Sequence, residues 1–120
     1  MNELTAEMNE LRRRRIQDDR DFSMTVYVIV QLKMIDLAAY DRYQARFFGV
    51  FKKFNGRLLS ADESPDVLEG SWDRDKVVLM SFPDETAYRA WADSAEYQEI
   101  SKDRKAGATA IALLVEGFES

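Results

Sequence analysis

The chain has 120 residues, of which 46% are hydrophobic, and it carries a formal net charge of −5 without any cysteine or histidine. This length and apolar content predict one domain with its own core, and the acidic balance argues against a nucleic-acid partner, whose binding depends on basic residues. Without cysteine or histidine there can be no disulfides, thiol nucleophiles, Ser-His-Asp triads, usual zinc sites or histidine-ligated haem, and we predict neither a metal nor a cofactor.

Residues 1–23 are predicted to form an N-terminal extension, helical or disordered, ahead of a folded domain over residues 24–120. Leu4, Met8 and Leu11 give a short helix only a narrow apolar stripe, and acidic neighbours dilute the charge of Arg12–Arg15. No apolar run approaches the roughly 20 residues of a membrane helix, and the N-terminus does not resemble a secretory signal. We therefore expect a cytoplasmic protein with no membrane partner.

The first predicted strand is Thr25–Leu32, which is apolar on both faces and needs cover on both. Asp36 then resembles the N-cap of a long amphipathic helix over Leu37–Phe54. Asn55 and Gly56 are expected to end this helix in the left-handed conformation.

Two strand-like segments follow, Arg57–Ala61 and Val67–Trp72, and Pro65 lies between them. Because proline cannot donate to a β-ladder, we expect a bend or bulge there or an edge position. A hairpin turn at residues 73–75 is predicted to lead into the buried strand Lys76–Phe82.

The second helical region is predicted to begin at Pro83-Asp84, with a further helical turn starting at Asp93 or Ser94. Asp93 and Glu96 have the spacing of a capping box. Gly107 should end the helix, and Thr109–Val115 forms the last strand.

The element order β-α-β-β-α-β predicts a ferredoxin-like α+β fold, in which both helices cover one face of a four-stranded antiparallel sheet. The other face is also apolar and would be bare in a monomer. A second copy of the sheet would bury it, so we predict a two-fold homodimer and leave a tetramer open.

Six strings after Met24 carry a family resemblance: YVIVQLKM (Tyr27–Met34), AYDRYQARF (Ala39–Phe47), GRLL (Gly56–Leu59), VLEGSW (Val67–Trp72), VVLMSFPDE (Val77–Glu85) and WADSAEYQEISKDRKAGA (Trp91–Ala108). In these the chain resembles a bacterial family known as domain-of-unknown-function family 1330, within the dimeric α/β-barrel superfamily. The resemblance implies the ferredoxin-like fold and the sheet-to-sheet dimer, and little about activity. The wider superfamily includes cofactor-independent monooxygenases, isomerases, polyketide cyclases and haem-handling enzymes, several of which depend on a histidine that is missing here.

Polar residues that interrupt apolar segments are the candidates for a ligand site. Gln31 in the first strand could bind a ligand or satisfy a neighbour in the sheet. Glu69, partly buried against an aromatic side chain, would have a raised pKa and could act as a general base, or it could be an exposed edge-strand residue. Trp72 could form the floor of a pocket or cap the core.

Tyr97 and Arg104 are seven residues apart on one predicted helical face, where a phenol and a guanidinium would suit an anionic or enolate-like ligand. The structural alternative places Tyr97 in the core and pairs Arg104 with an acid at the dimer edge. Tyr43 and Arg46 are weaker candidates that we expect to be solvated.

Taken together, these residues predict a small-molecule-binding homodimer, which could be a cofactor-independent enzyme acting on a small organic acid or aromatic. The alternative is a non-catalytic interaction or stress-related module that uses residues 1–23 to bind a partner. An RNA-binding sheet is disfavoured, because KVVLMSF lacks the aromatic and basic residues that stack on bases. The acidic residues Asp62, Glu63 and Asp66 flank a proline turn and are interpreted as solvated.

Overall fold

The computed structural model describes residues 24–118, so the predicted extension at residues 1–23 lies outside the described residues. The seven elements are β1 (Val26–Met34), α1 (Leu37–Phe51), β2 (Arg57–Asp62), β3 (Lys76–Phe82), α2 (Glu85–Ala92), α3 (Ala95–Gly107) and β4 (Ala108–Glu116). This is the ferredoxin-like order that was predicted, with the second helical region divided into two helices.

The four strands form one antiparallel sheet in the order β2-β3-β1-β4. Val28 of β1 lies opposite Met80 of β3 on one side and Leu114 of β4 on the other. Since successive side chains of a strand point to opposite faces, the even-numbered residues of β1, β3 and β4 share the face that the helices cover. A bulge between Leu58 and Ser60 shifts the register of β2 against β3.

Helix α1 ends earlier than predicted, and not through a left-handed residue. Its last residue is Phe51, and Lys52 continues in right-handed helical geometry with its N–H donating to Phe48. Position 56 requires a glycine because of close packing, since a Cβ there would lie 2.6 Å from the rings of both Phe51 and Phe82. Within the described part of the chain, only Gly70 has a positive φ, of 82°.

The predicted strand Val67–Trp72 is wrong, because this segment has no regular secondary structure. The carboxylate of Asp62 accepts a hydrogen bond from the N–H of Ser64 at 2.9 Å, an Asx turn that directs the chain away from the sheet. The segment pairs with none of the four strands, and β3, the next strand along the chain, is already hydrogen-bonded to β2 and β1. Residues 73–75 consequently form no hairpin, and the Asp75 N–H donates to Leu32 at the end of β1.

The proposed capping box of Asp93 and Glu96 is also wrong. Asp93 terminates α2, its N–H donating to Arg89, so it is not available to begin the next helix. Ser94 is the N-cap of α3, and its hydroxyl accepts a hydrogen bond from the N–H of Tyr97 at 3.1 Å. Glu96 forms an ion pair with Lys53 instead.

The core lies between the helices and the covered face of the sheet. Phe82 and Trp91 stack in its centre, with Phe51 packed edge-on against both rings. The opposite face of the sheet is apolar and open, as predicted: Ile111 and Leu113 of β4 are 43% and 49% exposed. No helix within residues 24–118 is both long and apolar enough to cross a membrane.

Candidate functional site

A cavity of about 470 Å³ lies between the covered face of the sheet and the helices. Its floor is apolar and includes Val30 and Leu32 of β1. Opposite these residues on β4 lie Ala112 and Ala110, whose short side chains leave space below the helices. Phe48 lines the cavity and is 60% exposed, which indicates that the cavity opens to the surface.

Tyrosine and tryptophan side chains from all three helices form one wall. The hydroxyl oxygens of Tyr43 on α1 and Tyr97 on α3 lie 3.1 Å apart and form a hydrogen bond. The Tyr97 ring lies with its centroid 4.2 Å from that of Trp91 on α2. Burial raises the pKa of Tyr43 and of Tyr97, so both phenols are protonated at neutral pH. One of them donates to the other, and the second keeps its hydroxyl proton for another acceptor.

Two basic side chains, Lys76 and Arg104, flank Tyr40, which also lines the cavity. The Lys76 ammonium lies 5.0 Å from the centre of the Tyr40 ring, a cation–π contact. Burial raises the pKa of Tyr40 to about 12, and the charge of Arg104 opposes this rise, which places the guanidinium within electrostatic reach of the phenol.

Two buried donors of the cavity lining have no acceptor among the described residues. They are Nη1 of Arg104 and the indole Nε1 of Trp91. A buried donor without a partner loses its hydration without compensation, at a cost of about 1–3 kcal/mol, and therefore calls for an explanation such as a water or a ligand.

The lining is basic, although the chain as a whole is acidic. It contains four basic side chains and one acidic one: Lys76, Arg89, Arg104, Lys105 and Asp93. Arg89 is partly neutralised by its ion pair with Glu85. The field in the cavity thus favours a ligand with negative charge.

The predicted site residues separate into two groups. Tyr97 and Arg104 both line the cavity, as their spacing on one helical face indicated. Gln31 and Trp72 lie on the opposite face of the sheet, where the Trp72 indole donates to Gln31 Oε1 at 3.1 Å. Gln31 thus satisfies a neighbour, which is the structural alternative.

Glu69 is exposed, lies in the irregular segment after β2 and does not line the cavity. The partial burial on which the general-base hypothesis depended is absent. Asp62, Glu63 and Asp66 are exposed as expected, and residues 24–118 contain no cluster of three or more acidic side chains that could hold a metal ion.

Sequence reasoning missed three residues of the cavity. Tyr43 was expected to be solvated but is 7% exposed, because its side chain turns toward α3. Trp91 packs in the core and also lines the cavity, and no pattern in the sequence indicates its unpaired N–H. Lys76 did carry a signal: it is a charged residue at an even-numbered position of β3, which is the covered face.

The fold and this cavity define a class, that of the ferredoxin-like α+β proteins with a chamber between sheet and helices. Within it, the chain belongs to the family described as Domain of unknown function (DUF1330), whose sequence profile matches residues 25–118. The family resemblance seen in the sequence is thereby confirmed. No curated protein is similar in sequence.

Three solved structures illustrate the similarity of fold. A protein of unknown function from Rhodopseudomonas palustris superposes with a TM-score of 0.70 at 16% identity, covering 100% of this chain and 95% of that one. SnoaB, a cofactor-independent oxygenase from Streptomyces nogalater, gives 0.61 at 14% identity over 82% and 97% of the two chains. A dimeric ferredoxin-like protein of unknown function from Thermobifida fusca gives 0.58 at 11% identity over 79% and 92%.

Proposed function

We propose that this protein is a homodimer that binds a small organic acid, with a flat apolar or aromatic body, in the cavity between its sheet and helices. The observation that carries this proposal is the pair of buried donors without acceptors, Arg104 Nη1 and Trp91 Nε1. Both residues line a space whose volume, about 470 Å³, is in the range of small-molecule sites.

The two ends of such a ligand would meet different surroundings. Its carboxylate or enolate would accept hydrogen bonds from Arg104 and from whichever phenol of Tyr43 and Tyr97 does not donate to the other. Its apolar body would lie against Val30, Leu32 and the aromatic wall.

The homodimer is supported by the open apolar face of the sheet and by similar folds described as dimeric. Packing two such faces together would bury Ile111 and Leu113 and would leave the cavity, on the other side of the sheet, accessible.

We extend the proposal to chemistry without a bound cofactor, because SnoaB, which shares the fold, is described as a cofactor-independent oxygenase. In such a reaction Arg104 would stabilise negative charge that develops on an aromatic acid, and the one hydroxyl proton that the Tyr43–Tyr97 pair leaves free would be donated to the same oxygen. Glu69, exposed and outside the lining, receives no role. The alternative of a partner-binding module depends on residues 1–23, which lie outside the described residues.

Binding is tested by tryptophan fluorescence. The chain has two tryptophans, so a Trp72→Phe background leaves Trp91 as the only reporter. Titration with 2-naphthoate should change its emission, whereas the neutral methyl ester should bind at least about tenfold more weakly, because a hydrogen bond to a charged group contributes about 1.5–3 kcal/mol.

The matched variants are Arg104→Met and Arg46→Met, the second on an exposed face of α1 outside the cavity. Arg104→Met should weaken naphthoate binding to the level of the ester, and Arg46→Met should leave it unchanged. Equal binding of acid and ester, or equal effects of the two variants, would contradict the proposed site.

A further inference from the structure

Lys76, the first residue of β3, is a lysine in an apolar setting. It is 6% exposed, and lysines are almost never fully buried unless they are paired with an acid. No carboxylate within residues 24–118 lies within ion-pair distance of its ammonium group. Its contacts are Gln44 Oε1, at 3.3 Å, and the face of the Tyr40 ring.

These surroundings make the uncharged amine easier to form than it is in an exposed lysine. Burial lowers the pKa of Lys76, and the charge of Glu63 opposes the shift only in part. A neutral lysine amine in a hydrophobic pocket is a nucleophile, which is the usual origin of lysines that form Schiff bases.

We propose that Lys76 forms an imine with an aldehyde or ketone group of a ligand held in this cavity. Only two lysines line the cavity, and the other, Lys105, is exposed. The ligand class would be an oxo acid or a formyl-substituted aromatic acid. That the ligand carries an acid group follows from the proposed function, in which Arg104 binds the anion.

The step needs no oxidant, reductant or cofactor. The lone pair of Lys76 Nζ attacks the carbonyl carbon, and the C=O π electrons move to oxygen. One amine proton passes to this oxygen and gives a neutral carbinolamine. The second amine proton passes to the hydroxyl group, the C–O bond breaks and the nitrogen lone pair forms the C=N bond, so that one amine and one carbonyl give one imine and one water.

Reductive trapping provides the test. The full chain is incubated with 4-formylbenzoate and sodium cyanoborohydride at pH 7.5, and peptide mass mapping follows the rate of labelling at each of its six lysines. We expect Lys76 to be labelled several-fold faster than exposed lysines such as Lys52. Labelling of Lys76 at or below the rate of Lys52 would overturn the inference, and because both rates come from the unmodified protein, no variant needs to fold.

Two further comparisons separate this inference from the proposed function. Lys76→Arg should abolish the fast labelling and Lys52→Arg should preserve it, with circular dichroism confirming that both variants fold. Arg104→Met should slow labelling by 4-formylbenzoate but not by benzaldehyde, which has no acid group. If 4-formylbenzoate changes Trp91 emission but does not label Lys76, the proposed imine is wrong and the proposed anion site stands. If benzaldehyde labels Lys76 as fast as 4-formylbenzoate does, the proposed imine stands and the proposed anion site is wrong.

Discussion

The phenol of Tyr43 on α1 and that of Tyr97 on α3 form a hydrogen bond, 3.1 Å between oxygens, in the wall of the cavity. Replacing either tyrosine by phenylalanine leaves the other hydroxyl buried without this partner, so each single variant should lose about 1–2 kcal/mol of unfolding free energy. The double variant removes both hydroxyls, and its loss of unfolding free energy should be smaller than the sum of the losses of the two single variants. Urea denaturation of all four proteins measures this coupling, and strictly additive losses would show that the bond contributes nothing.

Two glycines predict opposite effects of the same substitution. A Cβ at Gly107 would lie 2.5 Å from the backbone nitrogen of Tyr40 and 2.9 Å from the carbonyl oxygen of Asp36. Backbone cannot move aside easily, so Gly107→Ala should lose about 1–3 kcal/mol of unfolding free energy. Gly49 lies within α1 with nothing within 4 Å of its missing Cβ, and Gly49→Ala should gain about 0.5–1 kcal/mol.

Thermal unfolding of both alanine variants checks this pair. If Gly107→Ala were as stable as the original chain, α3 and the start of α1 would have to be farther apart than the structure places them. The Gly49 variant serves as the control, since it makes the same chemical change without a close neighbour.

The fold was predictable because its signals are local and repeated. The apolar segment at β1, the apolar stripe of α1 and the turn residues between elements indicate the order β-α-β-β-α-α-β, apart from the break between α2 and α3. That break follows from Asp93 ending one helix while Ser94 caps the next, and two adjacent capping residues cannot be assigned without the backbone.

The site was predictable only where both residues lie on one helix. Tyr97 and Arg104 share a face of α3 because of helical periodicity, which the sequence contains. The two alternatives for Gln31 could not be separated from the sequence, because the side of the sheet that a strand residue faces depends on where the helices pack. The roles of Lys76 and Tyr43 depend on contacts between distant segments, with Gln44 and Tyr97, that no local pattern specifies.

The open face of the sheet predicts the effect of a charge placed on it. If two copies pair through this face, Ile111→Lys should convert the dimer to a monomer, because an unpaired ammonium would be buried between the sheets. Leu37→Lys is the control, since Leu37 is 62% exposed but lies on α1, away from that face. Light scattering after size exclusion measures the mass, and an unchanged mass for Ile111→Lys would place the interface elsewhere.

Tyr40 predicts how the stability depends on alkaline pH. Burial raises its pKa from 10.0 to about 12 in the folded chain, so the unfolded chain releases this proton first as the pH rises. The contribution of the protonated Tyr40 phenol to the free energy of unfolding is therefore fully present below pH 10 and is lost between about pH 10 and 12. From pH 8.5 to 11.5 this group alone should account for a loss of about 2 kcal/mol of unfolding free energy.

The variant Tyr40→Phe isolates this contribution from other groups that titrate in the same range, because those groups are common to both proteins. Urea denaturation of the original chain and of the variant at pH 8.5 and 11.5 gives two differences in unfolding free energy. Relative to the original chain, the variant should be about 2 kcal/mol more stable at pH 11.5 than it is at pH 8.5. If the two differences were equal, the Tyr40 phenol would ionise as readily in the folded chain as in the unfolded one, which its 3% exposure beneath the Lys76 side chain contradicts.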